Sequence, residues 1–407
     1  MENHITLEAV ELAYYECRRN KRNTFGALEY ELNYEINNYH LYEELNAMTY
    51  EIGKSICFCV TRPKLREVFC AQFRDRVVHH IIMQRFLPLI ESQMIDDSYN
   101  CRKGKGTLYG VNRIQQHIID VSENYTTDAY VLKCDLQGFF MSIDRDILMG
   151  MIERLIRSVD TPNAEWWLWL IRKVVYNRPE LNCDKRGDLS LFEQLEPHKS
   201  LFHSNGKGLP IGNLTSQIFA NFYMTVFDKW LLARLDENER YGRFVDDFVI
   251  ISRDKRKLLR LIGEMREWLS DSLHVKMHPR KIYLQEVKKG VEFIGTIIKP
   301  NRRYTTNRTV DNVFEVVERF NKEQLTLTDF WQKINSYYGF LRHSNSYGIR
   351  WRLWKAIKDK SKICCVNMQK IEILTNKNKL VQTDENGILT AEWTQNDKDY
   401  ELHQINH

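Results

Sequence analysis

Tyr241-Gly-Arg-Phe-Val-Asp-Asp-Phe-Val-Ile-Ile251 is the stretch that decides how this chain is read. Two adjacent acids sit inside an otherwise apolar, β-prone run. Neighbouring side chains of a regular strand point to opposite faces. Asp246 and Asp247 therefore serve one site only if a tight turn separates two strands there. Burying two like charges without compensation is costly, and a divalent cation removes that cost. A hairpin with solvated acids is the alternative that the run alone leaves open.

A second acid changes the balance. Val131-Leu-Lys-Cys-Asp-Leu-Gln-Gly-Phe-Phe140 reads as a strand ending on Asp135, followed by Gly138 and two aromatics. Hard Mg²⁺ takes oxygen ligands, typically one or two carboxylates plus substrate phosphates. Two such ions about 4 Å apart activate a 3′-hydroxyl and stabilise departing pyrophosphate in an in-line displacement. Three carboxylates from neighbouring strands meet that need. The third segment is Gly208-Leu-Pro-Ile-Gly-Asn-Leu-Thr-Ser-Gln217, a shaped loop in which Asn213 or Thr215 caps the following helix. It reads either as an ordinary loop-to-helix turn or as a platform beneath a base pair.

Outward from these segments the periodicity predicts a helical stretch over 1–50 and β-like runs around Pro63 at 56–70. It predicts a helix at 74–95 with Val77, Val78, Ile81, Ile82 and Phe86 on one stripe, and another from the 101–107 loop to about 123. A strand at 130–135, a helix at 145–175, a loop-rich stretch at 177–208 and a helix at 214–235 follow. Strands then flank Asp246–Asp247, a helix covers 255–272, and 291–299 is β-like. Helices at 310–320, 328–343 and 346–360 form a separate unit, and Leu380–Thr383 and Ile388–Trp393 flank a hairpin turn at Asp384–Gly387. The middle third suits a split βαβ sheet with helices on one face.

The chain has 407 residues, 43% hydrophobic, with a formal charge of +5, enough for two or three structural units and compatible with a nucleic-acid partner. Basic residues cluster at Arg18–Arg22, Arg102–Lys105, Lys255–Arg260 and Arg350–Lys362. The last cluster interleaves Trp351 and Trp354 with cations, a pattern suited to gripping a backbone and stacking bases; solvated helix faces are the other reading. The nine cysteines include no paired CxxC units, so neither a zinc site nor a disulfide framework is expected, and the setting is expected to be reducing and cytoplasmic. No run of about 18 apolar residues exists, so no membrane partner is expected.

Taken in order, Arg66, Phe73-Arg-Asp-Arg-Val-Val78, Ser98-Tyr-Asn-Cys-Arg102, the Asp135 segment, Gly208–Gln217, Phe244-Val-Asp-Asp247, Lys281 and Phe293-Ile-Gly295 resemble the reverse-transcriptase family over roughly residues 55–300. Phe244 stands where most members have Tyr. Leu209-Pro-Ile-Gly-Asn-Leu-Thr-Ser-Gln217, preceded by Pro197-His-Lys-Ser-Leu-Phe202, is most similar to the enzymes of diversity-generating retroelements, because Ile211 stands where other reverse transcriptases usually place Gln.

The resemblance implies an α+β, right-hand polymerase with fingers, a ferredoxin-like palm sheet and a helical thumb. Its expected layout is an N-terminal helical extension over 1–50, fingers over 51–125, palm over 126–300 with an insertion at about 177–208, thumb over 301–365 and a C-terminal extension over 366–407. It implies RNA-directed synthesis of cDNA with two Mg²⁺ ions, Mn²⁺ substituting, held by Asp135, Asp246, Asp247 and the Leu136 carbonyl. It gives Lys281 the protonation of pyrophosphate, and Lys64, Arg66, Phe140, Ile211, Gly212 and Gln217 the contacts to the incoming dNTP, Phe140 as steric gate. Arg74, Phe293 and Gly295 are implied primer or template contacts, with Arg74 and Arg76 equally readable as helix salt bridges.

An apolar Ile211 leaves a hydrogen bond unmade near the template and implies misincorporation opposite template adenines. Implied partners are template RNA, the cDNA/RNA hybrid and a small, basic, helical, oligomeric accessory protein, in a bacterial or phage-encoded system. Residues 366–407 are too short for an RNase H or endonuclease domain, so RNA removal and integration are expected to rest on other factors. Two alternatives stand beside this reading. One is a group II intron-like or defence-associated reverse transcriptase; the other is an inactive, polymerase-derived RNA-binding scaffold, against which the intact acids speak.

Overall fold

The structure, a computed structural model, describes residues 3–19, 24–62 and 64–374, and beyond them the backbone of three strands, Lys379–Thr383, Ile388–Thr394 and Glu401–His403. Lys21, Arg22, Pro63 and the expected turn Asp384–Gly387 lie outside the described residues. The chain divides into two compact units: Met1–Arg113 with Tyr130–Leu284, and Ile114–Ala129 with Gln285–His407.

The first unit opens with the expected helices, α1 (Leu7–Arg18), α2 (Phe25–Glu31) and α3 (Tyr34–Asn46). Thr6 caps α1 by accepting from the Ala9 N–H. The strands β1 (Ser55–Val60) and β2 (Arg66–Cys70) pair antiparallel. Helix α4 (Phe73–Gln93) buries Val77, Val78, Ile81, Ile82 and Phe86 as the stripe predicts, and α5 (Thr107–Val121) follows, its residues from Ile114 on belonging to the second unit.

Next come β3 (Tyr130–Asp135), α6 (Phe139–Ser142), α7 (Arg145–Arg157), α8 (Ala164–Val175), β4 (Cys183–Arg186), α9 (Ser190–Glu193), α10 (Leu214–Tyr223) and α11 (Thr225–Leu232). The strands β5 (Arg240–Phe244) and β6 (Asp247–Ser252), helix α12 (Lys255–Leu273) and strand β7 (Tyr283–Glu286) complete the series.

The sheet order is β5-β6-β3-β7, with β6 antiparallel to both neighbours. Counted along the chain as first to fourth, that is second-third-first-fourth, the ferredoxin-like order the sequence predicts. Both faces of β6 are buried, Phe248 and Ile250 on one and Val249 and Ile251 on the other, so this strand reads as a continuous apolar run.

Three expected elements are revised. The helix expected over 145–175 is two, because Pro162 has no amide proton to donate and disfavours helix in the residue before it. The helix over 214–235 is interrupted at Met224, where the Thr225 hydroxyl bonds the Phe222 carbonyl at 2.7 Å. The 177–208 stretch carries a strand, β4, parallel to β1 with Ser55 opposite Cys183. Its polar sequence, Cys-Asp-Lys-Arg, hides it from a hydrophobic pattern.

In the second unit β8 (Val291–Phe293), β9 (Thr296–Lys299) and β10 (Arg302–Thr305) form an antiparallel sheet. The helices α13 (Asn307–Asn321), α14 (Leu327–Leu341) and α15 (Tyr347–Ala356) surround a core of Val313, Val317, Phe330, Ile334, Tyr338, Leu353 and Trp354. An unexpected hairpin, β11 (Ile363–Val366) and β12 (Lys370–Ile373), adds Ile363 and Ile371 to it. The strands β13 (Lys379–Thr383) and β14 (Ile388–Thr394) pair antiparallel, as the predicted hairpin requires.

One expectation is overturned here. Trp354 is fully buried, and Arg350 is buried with its guanidinium donating to the Met368 carbonyl. Neither is placed to stack a base. The spacing that suggested an aromatic-cationic face is the period of a core stripe. Only Trp351 keeps the pattern, with the Lys355 ammonium 3.9 Å from its ring centre.

Candidate active site

The decisive run folds as a two-residue hairpin: Phe244 faces Asp247, and Val245 and Asp246 make the turn. Val245 has φ +58°, a costly conformation for a β-branched residue and one that persists only when its surroundings impose it. Arg243 supplies that constraint. It is fully buried, and its Nη1 donates to the Val245 carbonyl at 3.0 Å. Its Nε and Nη2 reach the two oxygens of buried Asp228 at 2.8 and 2.7 Å, and the Tyr241 hydroxyl donates to Asp228 at 2.7 Å. Arg243 also exchanges backbone bonds with Asp97 and Tyr99, which ties the Ser98–Arg102 motif to the turn.

Neither Arg243 nor Asp228 was singled out in the sequence. The signal was there: a charge among apolar residues of a strand, and a carboxylate on the buried face of α11. Such groups are buried only when paired.

The hairpin brings the acids together. Asp135 lies directly opposite Asp247 in the β3–β6 ladder. The next residue, Leu136, is buried and donates its N–H to the Asp246 carbonyl at 3.2 Å. Burial, and then the charges of Asp135 and Asp247, push the half-buried Asp246 carboxyl up to about 6. Burial also raises the Asp247 carboxyl, against Lys133 at 3.7 Å. Lys281 donates to Asp135 Oδ1 at 2.7 Å, so the expected lysine stands beside the acids.

The donor set is all oxygen, and its mutual repulsion is what a hard divalent cation relieves; these residues fit such an ion. Among the described residues no three His, Cys, Asp or Glu side chains close into a cage. Magnesium, which keeps several waters, does not need one.

Two of the expected nucleotide contacts lie together. Phe140 and Ile211 pack partly buried against one small cluster formed by Cys57, Phe69, Met141 and Leu201. The Ile211 carbonyl accepts from the Phe69 N–H at 2.7 Å, and the Phe140 carbonyl from Leu209 at 2.8 Å. Gly212, at φ +121°, would place a Cβ only 2.5 Å from the Phe69 carbonyl oxygen, so glycine is required for this approach. Lys64 and Arg66 are exposed on either side of the β2 entrance, and Lys64 is near enough to favour the charged form of Asp247. Gln217 is exposed in the first turn of α10 and accepts from the Cys101 thiol at 3.1 Å.

Arg74 is placed otherwise. It pairs with Glu44 and lies over the Tyr50 ring at 5.0 Å, as the salt-bridge alternative has it, whereas Arg76 donates to the Ala71 carbonyl at 2.9 Å and to the Cys70 sulfur. Phe293 and Gly295 belong to the second unit, where Phe293 is fully buried and Gly295 turns the β8–β9 hairpin at φ +77°.

A family model described as reverse transcriptase (RNA-dependent DNA polymerase) matches residues 60–298. Protein YkfC of Escherichia coli (strain K12) is 24% identical over 282 residues, 61% of this chain and 68% of that one. Among solved structures, apo telomerase from Candida Tropicalis is similar with 13% identity and a TM-score of 0.49, over 75% of this chain and 56% of that chain. Telomerase from Candida albicans in complex with a TWJ fragment of telomeric RNA shows 11% identity and a TM-score of 0.44, over 74% and 55%. This chain therefore spans a little over half the length of those telomerase chains.

Proposed function

The chain belongs to the reverse transcriptase (RNA-dependent DNA polymerase) family, and on that premise we propose that it polymerises cDNA on an RNA template by metal-assisted nucleotidyl transfer. One observation carries the proposal: Asp135 stands opposite Asp247 with Asp246 on the strained turn between strands. When bound by Asp135, Asp246, Asp247 and the Leu136 carbonyl, two Mg²⁺ ions, or Mn²⁺ in their place, would supply Lewis-acid activation of a primer hydroxyl and neutralise phosphate charge.

The chain's own groups do the rest. Arg66, with Lys64 beside it, binds the triphosphate by charge-assisted hydrogen bonds. Phe140 serves as the steric gate against a ribose 2′-hydroxyl, a role its partly buried seat on the Cys57–Phe69–Met141–Leu201 cluster supports. Lys281, already hydrogen-bonded to Asp135, holds a proton for the departing pyrophosphate. Gly212 and Gln217 line the nucleotide and template side, and the turn at Gly295 holds the primer strand, the fully buried Phe293 packing beneath it rather than touching the primer. We assign 51–125 to fingers, 126–300 to palm and 301–365 to thumb. Arg74 is left out of the template contacts because Glu44 holds it.

The proposal extends to subclass. Ile211 offers no polar group where a Gln would hydrogen-bond, which favours a diversity-generating retroelement enzyme making adenine-mutagenised cDNA. Its partners would be a cognate RNA and a small basic accessory oligomer in a bacterial or phage setting. Purified protein with Mg²⁺, dNTPs and a primed RNA should extend the primer. No extension with cognate RNA and accessory protein supplied would sink the reading.

For fidelity, Ile211→Gln should lower the error rate at template adenines by about fivefold, the worth of roughly one hydrogen bond, measured by sequencing the cDNA. An unchanged adenine error rate would clear Ile211 of the role. No described helix is long and apolar enough to cross a membrane.

A further inference from the structure

The segment before Gly208 packs on the cluster that also seats Phe140 and Ile211, and a buried acid holds it there. Glu67 on β2 is fully buried, although Arg66 beside it is exposed. Neighbouring strand residues face opposite ways, so β2 presents Arg66 outward and anchors itself by Glu67. The Ser200 hydroxyl donates to Glu67 Oε2 at 2.8 Å, and the Leu201 N–H donates to Oε1. Burial raises the Glu67 carboxyl, and these two bonds favour its charged form.

What Glu67 holds is a wall. Leu201 is in the cluster against which Phe140 and Ile211 pack, and Phe202 and Phe192 lie against the same cluster. The Phe202 ring is 5.7 Å from that of Phe69, whose N–H binds the Ile211 carbonyl. On the other side, a Cβ at Gly138 would meet the His198 carbonyl oxygen at 2.3 Å, so the Pro197–His203 segment is seated on the residues that follow Asp135. Strand β4, from the same insertion, extends the β1–β2 sheet.

We propose that Glu67 is a positioning residue for nucleotide selection, holding Pro197–His203 through Ser200 and Leu201 as the back wall on which Phe140 and Ile211 seat. The inference rests on the polymerase reading above and names the part of the chain that sets its specificity. Glu67 touches no substrate. Its loss leaves a buried N–H and hydroxyl unmatched, frees the wall, and lets both side chains recede from the sugar and the base.

Single-nucleotide primer extension with a dNTP and with the matching rNTP, resolved into kcat and KM, is the test. Glu67→Ala should reduce the dNTP-over-rNTP preference in kcat/KM by about five- to tenfold, on the scale of one or two hydrogen bonds. Ser200→Ala, which removes one bond and opens little space, should produce a smaller fall in the same direction. Glu67→Gln keeps an acceptor for Leu201 and a partner for Ser200, and should restore the preference.

Extension lowered equally for both nucleotides, with preference unchanged in Glu67→Ala and Ser200→Ala, would overturn the inference and leave Glu67 a purely structural acid. If Glu67→Ala does not fold, Ser200→Ala decides alone. A wild type that extends no primer overturns the polymerase reading and this inference with it; an active wild type with unchanged preference in the variants overturns this inference only.

Discussion

Asp246→Ala is expected to abolish primer extension, by roughly a thousandfold or more, and at the same time to raise the melting temperature of the metal-free protein at pH 7.5. The first effect follows, on the proposed metal-assisted reading, from losing a ligand in a site where Lewis-acid stabilisation would be worth several kcal/mol, each 1.4 of which is about tenfold in rate. The second follows from the site's electrostatics. The Asp246 carboxyl is raised from its ordinary 3.8 to about 6 by burial and by its two acidic neighbours. The folded state therefore binds a proton more readily than the unfolded state. Between about pH 4 and pH 6 stability declines as pH rises, and above the folded-state value the whole penalty is present.

That rise corresponds to roughly 3 kcal/mol as an upper figure. Removing the carboxyl removes the penalty at pH 7.5 and changes little at pH 3.5. Thermal melts in EDTA at the two pH values check the sign. Adding Mg²⁺ should then stabilise the wild type and not the variant. An inactive variant that also melts lower at pH 7.5 would make Asp246 a structural residue.

The second large effect belongs to Arg243. Arg243→Ala leaves Asp228 buried without its partner and should cost about 3–5 kcal/mol of stability in urea unfolding. Because both groups are fully buried, Arg243→Met combined with Asp228→Leu should recover most of that loss, as apolar replacements of buried pairs often do. Extension activity should not recover, since the Val245 carbonyl still lacks its donor and the left-handed turn is no longer imposed. A double variant that is both stable and active would show that the turn holds itself.

Much of this was legible in the sequence. The acids, the ferredoxin-like strand order and the α4 stripe follow from β-prone runs, helical spacing and the order of motifs. The 145–175 break was legible too, since Pro162 is visible, but an unbroken apolar period on both sides masked it. What stayed hidden has a common cause. Strand β4 has four polar or small residues and is held by a partner 128 positions earlier (Ser55 opposite Cys183), which no local pattern reports. Glu67–Ser200 is likewise a long-range pair, 133 positions apart, whose acid looks like a surface residue until the chain closes around it; Arg243–Asp228, only 15 apart, left its trace as a charge among apolar residues. Trp354 failed in the opposite sense: its cationic neighbours suggested a stacking face, and the packing of α15 buried it.

The same long reach between β2 and its partners sets a timetable for the ribosome. Glu67 waits for Ser200, 133 residues later, which at roughly 5–20 residues per second is a delay of about 7–27 s. A β1–β2 hairpin formed in that interval would leave its β1 edge open and its future core acid hydrated. An unpaired edge is a template for wrong partners, and the strand that finally closes this one carries Asp184, Lys185 and Arg186.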